Sequence, residues 1–512
     1  MNKRARGIAG KLNTRTLTWV VVGAWCVVCL ATLDYNGPFM DEGIYITAGQ
    51  RTLEGHGLTD GFLGWFAGSL LWPVLAGVGS RLGGLLGARA VAVLLVGVAF
   101  VALVGAVRNL FGERVAFWTA LAFAASGPVL ALARMAVYDT SALAGIALSW
   151  YAITQVDRRD HRGWLILAAV AFCWALFSKY PSGLMLVPLL GVLMVLRGRK
   201  AMTDVFLFGF VSAAITLAFF LPVRERVASF FSYRLVNSPA VGVTRAMVGV
   251  DLLRLSAAPL LLAMGGWWAA KGRRWLATVL FLALLMWPAY HLILGDSVSR
   301  TKHLVYGFAF GYPLVGLALD WLWTRGSSPS VPPVTDASSA AGERRSVAHA
   351  VGRVLPWLGR GATVVVVLGL IALGAVQVER FNRAWPDARP AAEYLLAHVE
   401  PGDKLLINES WPYTSYLYGT GRIESPWDVF DVYRITHGQS EIGLCEYDWF
   451  VDSQGAYQWP GWIVFEVHRC GVFEPVSKSE STVVGMGRDL DYVRYQVQVV
   501  VWRNRESVGA EH

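Results

Sequence analysis

"GPFMDEGIY", residues 37–45, closes a long nonpolar run and sets two adjacent carboxylates, Asp41 and Glu42, where such a run should leave a membrane. The run begins near residue 17 and holds roughly 18 apolar residues, enough for one crossing. Upstream lies MNKRARGIAGKLNTRT, whose five Lys and Arg should stay cytoplasmic, and no small-residue cleavage site follows the run. The first helix therefore reads as a retained span, with the acid pair on the outer side. A helix starting near Asp41 would hold both acids at its N-terminus, where the helix dipole favours negative charge.

The rest of the chain has the same character. Of 512 residues, 55% are hydrophobic and only 16% charged, with 22 Trp. That is the composition of a multi-span membrane protein rather than a soluble domain. The net charge of +9 does not point to nucleic acid. The basic residues fall in short clusters between apolar runs, and no basic face with interleaved aromatics stands outside the membrane portion. Cys26, Cys29 and Cys173 lie in apolar runs as ordinary packing side chains, and no CxxC pair with metal-ligand partners is present.

About eleven spans are expected, near 17–35, 88–107, 115–133, 140–156, 163–178, 182–196, 204–222, 251–270, 275–294, 304–323 and 356–378. The loops this count assigns to the cytoplasm are RNLFGER, DRRDHRG, RGRK, KGRR and residues 324–353, each rich in Lys or Arg. Residues 324–353 are poor in large apolar residues and rich in Ser, Pro and Ala, so they read as a flexible cytoplasmic linker before a last span within 354–378. An odd count leaves 379–512 outside. There the helix-like DARPAAEYLLAHV and the strand-like KLLIN, GWIVFEV and YVRYQVQVVVW describe a small extracytoplasmic α/β domain. Cys445 and Cys470 fall in it, as a disulfide or as two free thiols. Between the first two spans, within residues 36–87, EGIYITAGQRTLEG and FLGWFAGSLLWPVLAGV read as helices lying in the outer interface.

Basic residues that break the positive-inside pattern carry the functional signal. Arg134 ends the third span in ALARMAVYDTS with Asp139 close behind, Lys179 occupies the short outer turn FSKYPSG, and Arg300, Lys302 and His303 share SVSRTKHLVYG. The outer loop 223–250 adds Arg224, Arg226, Arg234 and Arg245 against Glu225 alone. Singly, each cation also suits snorkelling to lipid head groups, and the acid pair alone also suits a helix cap. As a set, cations beside carboxylates at one membrane face are what a site needs if it holds a phosphate and deprotonates a hydroxyl nucleophile.

MDEGIY, RMAVYD, KYPSG and SRTKHLVYG, in this order and on this side, resemble the GT-C membrane glycosyltransferases over roughly residues 17–323. The similarity is strongest to the protein O-mannosyltransferase and aminoarabinose-transferase branch. It implies an α-helical polytopic fold with a GT-C-like catalytic module over residues 1–323. In that family an acid of the first outer loop acts as general base or positions the acceptor, a role that falls on Asp41 with Glu42 beside it. Outer basic residues hold the polyprenyl phosphate, which carries over to Lys179, Arg300, Lys302 and His303. Arg134 and Asp139 match a further site element without an assigned role. Some members bind a divalent metal and others do not, so no cofactor is certain and Asp41, Glu42 and Asp139 are the candidate ligands for a metal. Residues 379–512 lack the β-trefoil-like repeat of eukaryotic protein mannosyltransferases, and the chain is shorter than the large arabinosyltransferases, which leaves the acceptor open.

The resulting expectation is an inverting glycosyltransferase of the plasma membrane, the bacterial inner membrane. It would move a hexosyl or pentosyl unit from a polyprenyl-phosphate carrier to a hydroxyl acceptor on a cell-envelope glycan, lipid or protein. No Gly-rich phosphate loop for a nucleotide sugar is present. The alternative is a transporter or flippase for a lipid-linked or anionic solute, which would place ionisable residues near mid-span, whereas here they fall at outer helix ends. A non-catalytic scaffold would leave the acid pair without purpose.

Overall fold

The computed structural model describes residues 13–57, 61–236, 244–295, 299–325, 342–431, 443–454, 467, 469–486 and 492–506. Helix α1 (Thr14–Ala31) starts at Asn13, whose side chain accepts from the Arg15 amide, and buries only Thr18, Val22, Trp25 and Cys29. Its other faces are open, as suits a helix against lipid. Pro38 and the extended Phe39 then end the run, and α2 (Met40–Leu53) and α3 (Gly61–Trp65) follow, both too short to span. Helix α4 (Leu71–Phe111) bends at Gly83 and Gly84, the latter at a φ of +57° that a side chain would resist. Its first part packs against α2 so closely that a Cβ on Gly49 would lie 1.9 Å from the Pro73 carbonyl oxygen.

The bundle continues with α5 (Glu113–Ala124), α6 (Gly127–Ala133), α7 (Tyr138–Arg159), α8 (Gly163–Ser178), α9 (Leu186–Arg197) and α10 (Ala201–Val236). It is completed by α11 (Arg245–Ala269), α12 (Arg274–Leu294), α13 (Arg300–Arg325) and α14 (Gly342–Asn382). Every expected span falls on these helices, the one at 115–133 divided between α5 and α6, yet eleven is not the number that length and composition support. Among the described residues, seven helices are long and apolar enough to cross a membrane, or eight if α5 and α6, bent by 70°, form one broken span. Helix α7 carries Asp139, Thr140, Ser141, Thr154 and Gln155 buried against its neighbours, which lowers its apolarity, and α8 has only 16 residues. Helices α9 and α10 join through Gly198 into one helical stretch of 50 residues, Tyr180–Ser229. That is more than twice the ~20 residues of one crossing, and α9 packs back on α10. Of the expected linker, 326–341 lie outside the described residues, and α14 begins at Gly342.

The C-terminal part is the small α/β domain expected. Helix α15 (Arg389–His398) leads into β1 (Leu405–Ile407), α16 (Trp411–Gly419), β2 (Val429–Phe430), β3 (Trp449–Gln454), β4 (Phe473–Met486) and β5 (Tyr492–Asn504). The strand order is β2-β1-β3-β5-β4, with β1 parallel to both neighbours and β5 antiparallel to β3 and β4. Leu405, Ile407, Val451, Val499 and Val501 form its core with Ala391 and Leu395 of α15. Most of GWIVFEV lies outside the described residues. Cys445 and Cys470 are joined as a disulfide, Cα to Cα 5.6 Å.

The domain sits on one end of the bundle. Asn36, just before α2, donates to the carbonyls of Asn382 and Trp385 at 3.0 and 3.1 Å, and Gly43 of α2 meets the Trp411 backbone. The loops rich in Lys and Arg gather at the other end. There Asp160 accepts from Arg197 and Lys200 at 2.6 and 2.8 Å, and Arg114 pairs with Asp320.

Candidate active site

Successive helix residues point about 100° apart, so the two acids opening α2 diverge. Glu42 turns inward and is fully buried. Its carboxylate accepts from Arg89 Nε at 2.9 Å and Nη2 at 2.7 Å, from the Ala136 amide at 2.8 Å and from the Phe39 amide at 2.9 Å. Arg89 gives its remaining donors to the carbonyls of Leu33, Asn36 and Gly37, so all five guanidinium N–H groups are matched. The Tyr35 ring carries Arg89 on one contact, 4.4 Å from its centroid, and Arg134 on another, at 4.7 Å. Arg134 also donates to the Asn382 side chain at 2.9 Å. Glu42, Arg89 and Arg134 thus form a buried buttress that ties α2 and α4 to α1, α6 and α14.

Asp41 turns the other way, toward α13. Lys302 Nζ lies 2.5 Å from its Oδ2 and 5.3 Å from the centroid of Phe39. A cation in the first turn of a helix meets the unfavourable end of the dipole, and the adjacent carboxylate offsets that. Asp139, in the first turn of α7, accepts from Lys179 Nζ at 2.6 Å and from the Tyr306 hydroxyl at 2.8 Å. Lys179 caps the C-terminal end of α8, where the dipole favours a cation, and lies 4.7 Å from the Tyr138 ring centroid. Lys302 also feels the charge of Asp139, so the two ion pairs form one cluster. Tyr45, its ring tilted 45° to that of Tyr138 at 4.7 Å between centroids, closes it. Burial first, then the charge of Asp41, pushes the Tyr45 phenol well above its usual range, so it keeps its proton. Behind Lys302 lies His303, whose Nδ1 is 3.0 Å from His291 Nε2 and whose ring centroid is 4.5 Å from that of Trp287.

The structure therefore brings together Asp41, Asp139, Lys179 and Lys302, with His303 behind them, and separates the other candidates. Glu42 is held by four donors that fill both its oxygens, which leaves no lone pair to take a substrate proton. Arg134 belongs to the buttress. Arg300 precedes Lys302 by two residues, which on a helix is about 200° of rotation, and its Nη2 lies 3.4 Å from Asp251 of α11. Sequence reasoning missed Arg89, Tyr45, Tyr138 and Tyr306. Arg89 carried a signal, because it opens the second expected span at the end that the sequence reading assigns outside, where it too would break the positive-inside pattern. The tyrosines carried none, since an aromatic ring at a helix end is common in membrane proteins.

Among the described residues no group of three His, Cys, Asp or Glu side chains could hold a metal ion. Glu42 is taken by Arg89 on both oxygens, Asp41 gives Oδ2 to Lys302, and Asp139 gives Oδ1 to Lys179 and Tyr306, which leaves its buried Oδ2 alone without a hydrogen-bond partner. The three acids thus do not fit one divalent ion.

This polytopic helical bundle, with an acid at the head of the first short helix and a small C-terminal domain on one end, has the GT-C glycosyltransferase fold, as its likeness to solved structures shows. The sequence model of the dolichyl-phosphate-mannose-protein mannosyltransferase family matches residues 74–224. In structure the chain is similar to ArnT from Cupriavidus metallidurans in the apo state, with a TM-score of 0.60 and 16% identity over 94% of this chain and 97% of that one. ArnT from the same organism bound to undecaprenyl phosphate gives a TM-score of 0.56 and 18% identity over the same shares. The apo oligosaccharyltransferase of Archaeoglobus fulgidus gives 0.51 and 10% identity over 93% of this chain and 74% of that one. No curated protein matches the chain in sequence.

Proposed function

We propose that the chain is a glycosyltransferase that moves one sugar from a polyprenyl-phosphate carrier to a hydroxyl acceptor at the outer membrane face, with inversion at the anomeric carbon. The observation that carries this reading is the Asp41–Lys302 pair lying beside the Asp139–Lys179 pair at helix ends, beneath the C-terminal domain. The similar ArnT structure holds undecaprenyl phosphate, a ligand of this chemistry.

The acceptor oxygen attacks the anomeric carbon from the side opposite the phosphate. The new C–O bond forms as the old one breaks, and the electron pair of the broken bond stays on the phosphate oxygen. Asp41 takes the hydroxyl proton; its side chain keeps 23% exposure and so stays reachable. Lys302 and Lys179 stabilise the charge that develops on the departing phosphate. Asp139, with Tyr306, fixes Lys179 in place, while Glu42 holds the start of α2 so that Asp41 points at the cluster. In this reading Glu42 positions and Asp41 reacts. We place the N-terminus in the cytoplasm and the C-terminal domain outside, in the plasma membrane. A transporter is less well supported, because a moving solute needs charges along its path, and this cluster sits at one end.

The test is transfer from a panel of radiolabelled undecaprenyl-phosphate sugars to envelope acceptors by the purified chain. Label should move with at least one donor and stop in Asp41→Asn. Transport of intact donor without cleavage would overturn the assignment.

A further inference from the structure

The C-terminal domain touches the bundle at a second place that the chemistry above does not use. Tyr492 opens β5, and its hydroxyl donates to Asp251 Oδ1 of α11 at 2.5 Å. The other oxygen of Asp251 faces Arg300 Nη2 at 3.4 Å, and Arg300 Nη1 is buried without a hydrogen-bond partner. Arg254 and Arg380 lie 4.9 and 4.5 Å from the Tyr492 ring centroid, so the ring is held between α11 and α14. One carboxylate thus joins the hairpin of the C-terminal domain to the first residue of α13.

That first turn is the one that carries Lys302. It begins just after Ser299, a residue other than glycine at φ 61°, in the left-handed region, and such backbone persists only when its surroundings hold it. Lys302 sits on the opposite side of the turn from Arg300, paired with Asp41. A turn pinned on one side by Asp251 presents its other side at a fixed angle, and an unpinned one does not. We infer that Tyr492, through Asp251 and Arg300, is a positioning residue that sets Lys302 in the phosphate site, so that the C-terminal domain controls carrier binding. The inference rests on the donor-phosphate role proposed above for Lys302.

The experiment measures binding of undecaprenyl phosphate to the full chain in detergent, with undecaprenol as the control without phosphate. Tyr492→Phe removes one hydroxyl and keeps the ring between its arginines. It should weaken undecaprenyl phosphate about tenfold, the scale of one hydrogen bond to a charged group, and leave the melting temperature and undecaprenol binding unchanged. Asp251→Asn should weaken undecaprenyl phosphate as well, without changing undecaprenol binding. In a Lys302→Gln background the Tyr492→Phe change should have no further effect, because the residue it positions is gone; a purely structural role would persist there. Equal affinity of Tyr492→Phe and wild type, or full additivity with Lys302→Gln, would overturn the inference alone. Failure of the wild type to prefer undecaprenyl phosphate over undecaprenol would overturn both it and the proposed function.

Discussion

The two ends of the bundle use the same residue types for different purposes. At the end under the C-terminal domain, acids and cations meet out of water. Arg89 and Glu42 have side-chain exposures of 0% each, and Lys179 and Asp139 of 5% and 0%. At the other end, Lys200 and Asp160 are 61% and 58% exposed, and beneath them Arg197 and Asp204 form the buried pair of that end, at 7% and 1%. Exposed pairs hold little energy and mark topology, whereas buried ones carry a large desolvation cost that only a specific role or a complete hydrogen-bond set sustains. Within the end under the C-terminal domain there is a further division. Arg89 and Glu42 are fully matched, while Asp41 stays partly open and faces the lysine proposed to meet the phosphate.

An all-or-none effect tests which end faces out. In intact cells, Thr420→Cys in the C-terminal domain should react with an impermeant thiol reagent, and Ser338→Cys in the linker should not. The reverse pattern would exchange the two ends and remove the outer-face site. Next in size is Arg89→Met, which leaves the buried Glu42 charge without its partner and should destabilise the fold by about 3–5 kcal/mol. Thermal unfolding in detergent measures it, and an unchanged midpoint would break the distinction between buttress and site.

Asp41→Asn should do the opposite, lowering turnover at least about 100-fold, as for loss of a general base, while the melting temperature stays put. Near wild-type transfer by a well-folded variant would end the base assignment. Lys179→Gln and Lys302→Gln should each weaken the donor by about 1.5 kcal/mol, roughly tenfold in donor KM, as for a charge-assisted hydrogen bond. Loss of membrane yield with unchanged donor kinetics would return both lysines to head-group contacts. The smallest effect belongs to the exposed end: Lys200→Gln should change neither melting temperature nor turnover measurably. A clear loss there would mean that the charges at that end do more than set topology.

The sequence by itself determined the helices, the helix ends at which buried charges gather, and the small α/β domain. Hydrophobic run length, Lys and Arg placement and period-two alternation in β5 are local properties that a chain displays before it folds. Asp41, Lys179, Lys302 and Asp139 were legible for the same reason, as ionisable groups at helix ends. How many helices cross was not, because α7 is polar along a face that other helices cover and α9 runs on into α10. The tertiary structure alone decided that neighbouring acids part company, Glu42 to Arg89 and Asp41 to Lys302, and that Arg300 and Lys302 face different helices. Spacing along the chain fixes the angle between two side chains on one helix. What each of them meets depends on residues 47 to 261 positions away, brought there by packing.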